Sequence, residues 1–355
     1  MAIAKYQIFE NAADFYAVML DDIAGAKDYI YLEMYKFSDG PAGHVFRDAL
    51  TRKAREGVEV KLLIDSWGAY VTVDSFSQLV KYGGEVKFFK KIKFFIDFFT
   101  KNHRRNHRKI LVIDNRICWL GSANIVDYAM DWREAMIRLE DEIAIPFRHV
   151  FLQDFKIYNK YVFEKLSYVR SIKHNDFEIV RDVPSLAMQR LRKKYVDIIK
   201  GAGKEIVIET PYFLPGFLLR KVLMDAADRG VDVKVIMPKH SDMRLVDVMR
   251  NMYIGLMCRH NVTFLFYTPN NLHAKLLLAD RKIFSIATSN FDYRSFRYQH
   301  EVALVGRNPE IVRLIMKHIE DTLRDCEPFN YANWLRRPFP DKLFERLLVP
   351  FRHLF

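Results

Sequence analysis

Two histidines in this chain each stand two positions ahead of a lysine and seven ahead of an aspartate: His107-Arg-Lys109 with Asp114, and His273-Ala-Lys275 with Asp280. Imidazole is a competent nucleophile near neutral pH, and a second, protonated imidazole can give its proton to a departing alkoxide. In an extended strand, residues two apart face the same way, so each His–Lys pair points into one space. A turn of small residues follows each motif, Gly121-Ser122-Ala123-Asn124 and Ala287-Thr288-Ser289-Asn290. Small residues let the backbone approach a ligand, and hydroxyls and amides donate to phosphate oxygens. Ser122, Asn124, Thr288 and Asn290 are therefore the candidate substrate-binding residues. Further on, Glu134 and Glu301 are available to accept from a histidine Nδ1–H, which fixes the tautomer and orientation of the ring. Two lysines and two asparagines stabilise added charge on phosphorus oxygens. These parts suffice for phosphoryl transfer without a cofactor. A metal is not expected, because the lysines would repel a cation and no HExxH or cysteine cluster occurs.

Asp114 and Asp280 close the two motifs and are counted with His107, Lys109, His273 and Lys275 in the candidate catalytic set. Their odd spacing from the histidine turns them to the other face of a straight strand, where a structural hydrogen-bond acceptor is expected instead. A single His-x-Lys is often no more than an exposed strand end. Two copies at matched spacing, each trailed by a small-residue turn, an Asn and a Glu, are not.

The elements that carry these residues are also written twice. His, Lys, Asp and Asn recur at an offset of 166 positions, and the Glu keeps that offset to within one residue. Upstream, Tyr29–Tyr35 followed by Ala54–Ile64 pairs with Glu205–Phe213 followed by Ala227–Ile236. Each pair reads as strand, helix, Gly turn, strand. The Ile-Leu-Val-Ile and Leu-Leu-Leu-Ala runs after the motifs suit strands buried on both faces. Strands alternating with helices predict an α/β chain with a mixed or mainly parallel sheet in each half. The expected organisation is a first repeat over 1–170, a polar linker over 171–184, a second repeat over 185–326 and an amphipathic tail over 327–355. Asn308 as N-cap and Pro309 in the first turn predict a core-facing helix through Val312, Ile315, Met316, Ile319 and Leu323.

Half of the 355 residues are apolar and the formal net charge is +12. A folded globular chain is expected, with a basic surface suited to phosphate in nucleic acid or in an anionic membrane. The cysteines Cys118, Cys258 and Cys326 are odd in number and without CxxC spacing, which argues against a disulfide framework or a thiolate zinc site. No run of about 18 uncharged apolar residues occurs, so no transmembrane helix is expected. The first residues lack the layout of a signal peptide. A membrane would then be met from one side. Two segments suit that task. Phe88–Phe99 mixes lysines with six phenylalanines, and either inserts at a bilayer surface or packs in the core. In the tail, Leu343, Phe344, Leu347, Leu348 and Phe351 form an apolar stripe beside Arg346 and Arg352, suited to lipid or to an oligomer contact.

The doubled HxKxxxxD pattern, each followed by a GSxN-like turn, closely resembles the phospholipase D superfamily over nearly the whole chain. Within it the chain looks most like the bacterial cardiolipin synthases, on Asn102–Lys109, Trp132-Arg-Glu134, Thr210–Pro215, Asn290–Phe296 and the stretch at 57–65. The resemblance implies a pseudo-symmetric bilobed unit with the active site at the seam, and a covalent phosphohistidine. It assigns His107 as nucleophile and His273 as general acid, with Lys109, Lys275, Asn124 and Asn290 on the phosphoryl group and Glu134 and Glu301 orienting the histidines. The implied reaction is phosphatidyl transfer between phospholipids, with two phosphatidylglycerols giving cardiolipin and glycerol, at the cytoplasmic face of a bacterial inner membrane. A hydrolytic phospholipase D and a nuclease of the same superfamily are the alternatives. The aromatic basic segment and the tail argue against nucleic acid as a partner. A non-enzymatic scaffold is opposed by the intact His, Lys, Asn and Glu of both halves. With both motifs in one chain a complete site needs no dimer, and the oligomeric state stays open. The chain departs from the family pattern at Ala287-Thr288, where Gly-Ser is usual, and at Gln299, where Asn is common.

Overall fold

The computed structural model describes residues 5–89, 104–158, 168–185, 187–348 and 350–351. The first half contains β1 (Tyr6–Phe9), α1 (Ala12–Ala24), β2 (Tyr29–Met34), α2 (Pro41–Arg55), β3 (Glu59–Asp65), α3 (Ser77–Lys81) and β4 (Glu85–Phe89). It continues with β5 (Arg105–Asn106), β6 (Ile110–Ile113), β7 (Ile117–Gly121), β8 (Met136–Glu140) and α4 (Ala144–Ile157). The second half contains β9 (Ile172–His174), β10 (Phe177–Asp182), α5 (Arg190–Gly201), β11 (Glu205–Glu209), β12 (Phe213–Leu214), α6 (Phe217–Asp228), β13 (Asp232–Pro238), α7 (Arg244–Cys258) and β14 (Thr263–Tyr267). After these come β15 (Leu276–Ala279), β16 (Ile283–Ala287), β17 (Phe291–Asp292), α8 (Tyr293–Tyr298), β18 (Gln299–Gly306), α9 (Pro309–Arg324), β19 (Cys326–Pro328), α10 (Tyr331–Leu335) and α11 (Phe339–Leu348).

The first sheet runs β1-β8-β7-β6-β2-β3-β4 and the second β19-β14-β13-β11-β15-β16-β18-β10-β9. Each is mixed. The strand–helix–strand units pair in parallel (β2 with β3, β11 with β13), and the motif strand adds antiparallel to the first of them (β6 on β2, β15 on β11). The repeat is thus a repeat of topology. Apolar side chains on both faces of β2, β6, β11 and β15 explain the layering. One core joins the inner faces of both sheets around α4 and α9, through Val112, Ile137, Phe147 and Phe151 on one side and Leu276, Leu304, Ile311 and Ile315 on the other. Separate cores lie under α1 and α2 and under α5 to α7. The two lobes therefore share a central core and form one α/β unit. The helix expected from Asn308 is α9, and the Asn308 side chain accepts from the amides of Glu310 and Ile311.

The structure corrects the linker. Residues 171–184 hold β9 and β10, and β10 lies antiparallel on β18 as β1 lies on β8. The stretch reads as polar because Lys173, Asn175, Asp176 and Glu178 crowd its first part, while Phe177, Ile179 and Val180 are buried. At the other end β19 adds to β14 before the tail begins. The tail packs on α7 through Trp334, whose indole N–H donates to the carbonyl of Asn251 at 3.0 Å. Gly255 is needed there, since a Cβ would lie 2.1 Å from the Trp334 ring. Arg337 stacks on Trp334 and pairs with the buried Glu345 at 2.9 Å. Leu348 turns toward the core, whereas Phe339, Leu343, Phe344, Leu347 and Phe351 stay exposed. Phe88 and Phe89 are buried at the end of β4, and the remainder of the Phe88–Phe99 segment lies outside the described residues.

Asp114 and Asp280 are not at the histidines. Each opens the three-residue turn of a hairpin (β6 to β7, and β15 to β16) with two successive left-handed residues, Asp114-Asn115 (φ 52 and 52) and Asp280-Arg281 (φ 53 and 52). The Asp114 carboxylate accepts from the amides of Lys27, Asp28 and Tyr29 at 2.7–2.9 Å, and Asp280 from Gly203, Lys204 and Glu205 at 2.7–3.0 Å. They tie the far end of each motif strand to the start of β2 or β11. This corrects their place in the catalytic set, as the parity of their spacing anticipates. Asp280→Ala is expected to lower stability by about 1–2 kcal/mol in urea unfolding, with the resonances of His107 and His273 unmoved.

Candidate active site

Each motif strand enters the site from a short pairing with the opposite lobe. β5 pairs in parallel with the start of β18, and the His107 amide donates to the His300 carbonyl at 3.0 Å. In the mirrored position Arg133 bridges Leu272, and the His273 amide donates to the Arg133 carbonyl at 2.7 Å. The glutamate that follows each partner residue is thereby carried to the other lobe's histidine. His107 Nδ1 lies 2.9 Å from Glu301 Oε1, and His273 Nδ1 lies 2.9 and 3.0 Å from the two oxygens of Glu134. The exchange is reciprocal: neither histidine is oriented by the glutamate of its own repeat.

Facing a carboxyl group, Nδ1 carries the hydrogen and leaves Nε2 as the lone-pair nitrogen. At His273 this is reinforced by Lys275, whose Nζ donates to Nε2 at 3.1 Å and to the His273 carbonyl at 2.8 Å. Lys109 Nζ donates to the His107 carbonyl at 2.6 Å. Both lysines are buried, and neither forms an ion pair with a carboxylate among the described residues. Burial, with Lys275 nearby, holds Lys109 well below its ordinary value. Burial lowers Lys275 to about 8, against the pull of Glu134 and Glu301. Such a pair of desolvated ammonium groups is poised to receive an anion.

The hydroxyls expected on substrate face elsewhere. Ser122 Oγ accepts from the Ala135 amide at 2.8 Å, and Thr288 Oγ1 donates to Glu301 Oε2 at 2.5 Å. Both are fully buried behind the glutamates, so they are corrected from substrate-binding residues to supports of the Glu strands. Asn124 and Asn290 do line the cavity, a space of about 240 Å³ that also meets His107, His273, Lys36, Trp67, Tyr128, Trp132, Asp242, Met243 and Arg294. Asn124 Oδ1 accepts from the Lys36 amide at 3.1 Å, and the buried Asn290 Oδ1 has no partner among the described residues. The rings of Tyr35 and Trp132 lie against His107 and His273, with centroids 4.8 and 5.3 Å away.

The two half-sites differ electrically. Burial lowers both histidines, His107 well below its ordinary value because Lys109, Lys275 and His273 add to the effect. At His273 the charge of Glu134 opposes the lowering. Burial pushes Glu301 up to about 8, with Lys109 and the Thr288 hydroxyl opposing. Glu134 is held below its ordinary value, His273 and Lys275 outweighing burial.

Behind the site lie charged groups that no motif announced. Arg108, fully buried, donates to the carbonyls of Glu301 and Asp182 and pairs with Asp154. Arg133 donates to Glu10, Thr322 and the His318 carbonyl, and His318 Nε2 meets Glu209 at 2.9 Å. Both arginines come from the first repeat and clamp the seam. The visible signal is Glu33 and Glu209, fully buried acids at or next to the last residue of the mainly apolar β2 and β11.

This arrangement, two half-sites of His and Lys facing each other across a seam, marks the phospholipase D-like class. A family model described as cardiolipin synthase, phospholipase D-like domain, matches residues 19–156 and 195–323. The cardiolipin synthase of Clostridium perfringens (strain 13 / Type A) is 30% identical over 367 residues, 97% of this chain and 76% of that protein. The major cardiolipin synthase of Bacillus subtilis (strain 168) is 30% identical over 361 residues, 97% of this chain and 74% of that one. Among solved structures, the phosphatidylserine synthase of Haemophilus influenzae Rd KW20 shares the fold, with a TM-score of 0.78 at 14% identity, covering 99% of this chain and 95% of that one. The chain belongs to the cardiolipin synthase family of phospholipase D-like proteins.

In nitrogen-15 spectra of imidazole-labelled protein, both histidines are expected to be neutral at pH 6.5, and His273 to take up its proton before His107 as the pH falls. Glu134→Gln removes the charge that favours imidazolium at His273, so its titration is expected to move to still lower pH. An unmoved titration would deny Glu134 any electrostatic part in the pair.

Proposed function

We propose that the chain is a phosphatidyltransferase that makes cardiolipin from two phosphatidylglycerol molecules, or from a related phospholipid pair. The observation that carries this reading is the pairing of two histidines in one cavity, each anchored at Nδ1 by the opposite lobe and each backed by a buried lysine. His107 Nε2 attacks the donor's phosphorus. The bond from phosphorus to the glycerol oxygen breaks, and His273 supplies the proton that lets glycerol leave. His273, now neutral, takes the proton from a hydroxyl of the second lipid, whose oxygen attacks the phosphohistidine. The P–N bond breaks, His107 is regenerated and cardiolipin departs. Lys109, Lys275, Asn124 and Asn290 offset charge on the phosphorus oxygens through both steps. The stronger lowering at His107 suits the neutral nucleophile, and the ionised Glu134 suits an acid at His273.

The cavity also bears on how lipid arrives. Drug-sized ligands occupy about 300–1,000 Å³, so a space of about 240 Å³ holds a phosphodiester headgroup and leaves the acyl chains outside. Trp67, Tyr128 and Met243 at the mouth are partly exposed, as are Tyr70 and Leu245 beside them. Among the described residues no helix is long and apolar enough to cross a membrane. Peripheral attachment to an anionic membrane at the cytoplasmic face, by this rim and the outward stripe of α11, fits these features.

With phosphatidylglycerol vesicles, the wild type is expected to yield cardiolipin and glycerol by mass spectrometry. His273→Ala is expected to slow turnover by about 10²–10⁴-fold, and His107→Ala to abolish it. Phosphatidic acid alone would make the chain a hydrolase, and no lipid turnover would defeat the reading for this substrate. In the pH dependence of kcat/KM, Glu134→Gln is expected to move the alkaline limb to lower pH, because His273 then loses its proton earlier. Glu301→Gln, whose carboxyl already stands at about 8, is expected to lower the rate with that limb in place.

A further inference from the structure

A second cavity, of about 450 Å³, lies between the beginnings of α5 and α6 and is walled by α8. Tyr293, Phe296 and Arg297 face it from α8, at helical spacings of three and four. Asp292 and Arg294, at the start of the same helix, line the catalytic cavity instead. One short helix is therefore the partition between the two spaces. Arg192 of α5 completes the charged lining, and no carboxylate is part of it.

Arg192 and Arg297 are half-buried, and neither forms an ion pair with a carboxylate among the described residues. Arg297 lies over the Tyr293 ring at 5.1 Å, which leaves its charge intact. Burial and the charge of Arg297 hold Arg192 below its ordinary value, and Asp182, whose carboxylate is engaged by the amides of Arg190 and Leu191, offsets this in part. Two like charges side by side in a concave wall are relieved by an anion. The lip has the opposite character: Phe217 is 71% exposed and Leu218 40%, and both line the same cavity. An inorganic anion has no use for such a lip, whereas a lipid phosphate brings acyl chains to cover it.

We propose that this cavity takes the phosphate of an anionic phospholipid, a molecule other than the one under reaction, with its acyl chains over Phe217 and Leu218. The proposal rests on the reading of the chain as a phosphatidyltransferase working at a lipid surface. Occupancy would hold α8, and with it Arg294 and Asp292, against the membrane beside the catalytic mouth.

The test is co-sedimentation of the full chain with phosphatidylglycerol vesicles and with phosphatidylcholine vesicles. For Arg192→Gln with Arg297→Gln, affinity for the anionic vesicles is expected to fall about thirtyfold, and for Arg192→Gln alone about fivefold. Arg192→Lys with Arg297→Lys keeps the charge and is expected to retain most of the binding. Arg116→Gln with Arg324→Gln, removing equal charge from exposed ion-paired positions elsewhere, is expected to change it little. Turnover of monomeric dihexanoyl-phosphatidylglycerol is expected to be the same in the glutamine double variant as in the wild type. Equal losses in the cavity and control variants would overturn the proposal, leaving only general surface charge. Displacement of wild type from vesicles by millimolar inorganic phosphate at constant ionic strength would also overturn it, in favour of a free-phosphate site. Should dihexanoyl-phosphatidylglycerol not be turned over at all, the phosphatidyltransferase reading fails, while the vesicle comparison still judges the cavity.

Discussion

Two lysine side chains buried together are the constraint on which the rest of this structure depends. Lys109 and Lys275 are out of water, and neither has a carboxylate within ion-pair distance among the described residues. A desolvated ammonium is held only where nearby negative charge compensates. Glu134, held ionised, supplies most of it and Glu301, pushed up to about 8, supplies less, and each reaches the site from the lobe opposite the histidine it orients. The site consequently has no half-built form. Removing either lobe would take away one lysine, one histidine and the carboxylate that fixes the remaining histidine. The core shared around α4 and α9 meets the same requirement on the scale of the fold, since it prevents the lobes from drifting by the fraction of an ångström that such bonds tolerate.

Much of this was legible in the chain. The matched offsets of His, Lys, Asn and Glu show two repeats, and strand parity correctly turns Asp114 and Asp280 away from the histidines. The crossing of the glutamates was not legible. A repeat specifies that each half has a Glu near a His, but the spacing is the same whether the pair forms within a lobe or between lobes. The pairing of β5 with β18, a contact between residues nearly two hundred positions apart, decides it. Ser122 and Thr288 were misread because a hydroxyl after a glycine-like turn suits a phosphate and a buried carboxylate equally well. Residues 171–184 read as a linker because the short edge strand β9 and the turn at Asn175-Asp176 are polar and hide β10, which lies between β9 and β18 and is mostly buried.

The repeat is faithful in position and unfaithful in surroundings, and that difference gives the site a direction. A perfectly symmetric pair of histidines would bind a proton equally, and neither would be the acid. Here Arg108 has Ala274 as its counterpart, Ser122 has Thr288, and Glu301 is pushed up by burial where Glu134 is drawn down by His273 and Lys275. The imidazole facing the ionised carboxylate is the easier one to protonate. An arriving phosphodiester adds negative charge beside both rings, which favours imidazolium, and the ring already favoured by Glu134 responds first. The acid would then form when substrate binds and not before. In the empty site two neutral imidazoles avoid adding further positive charge beside two buried lysines.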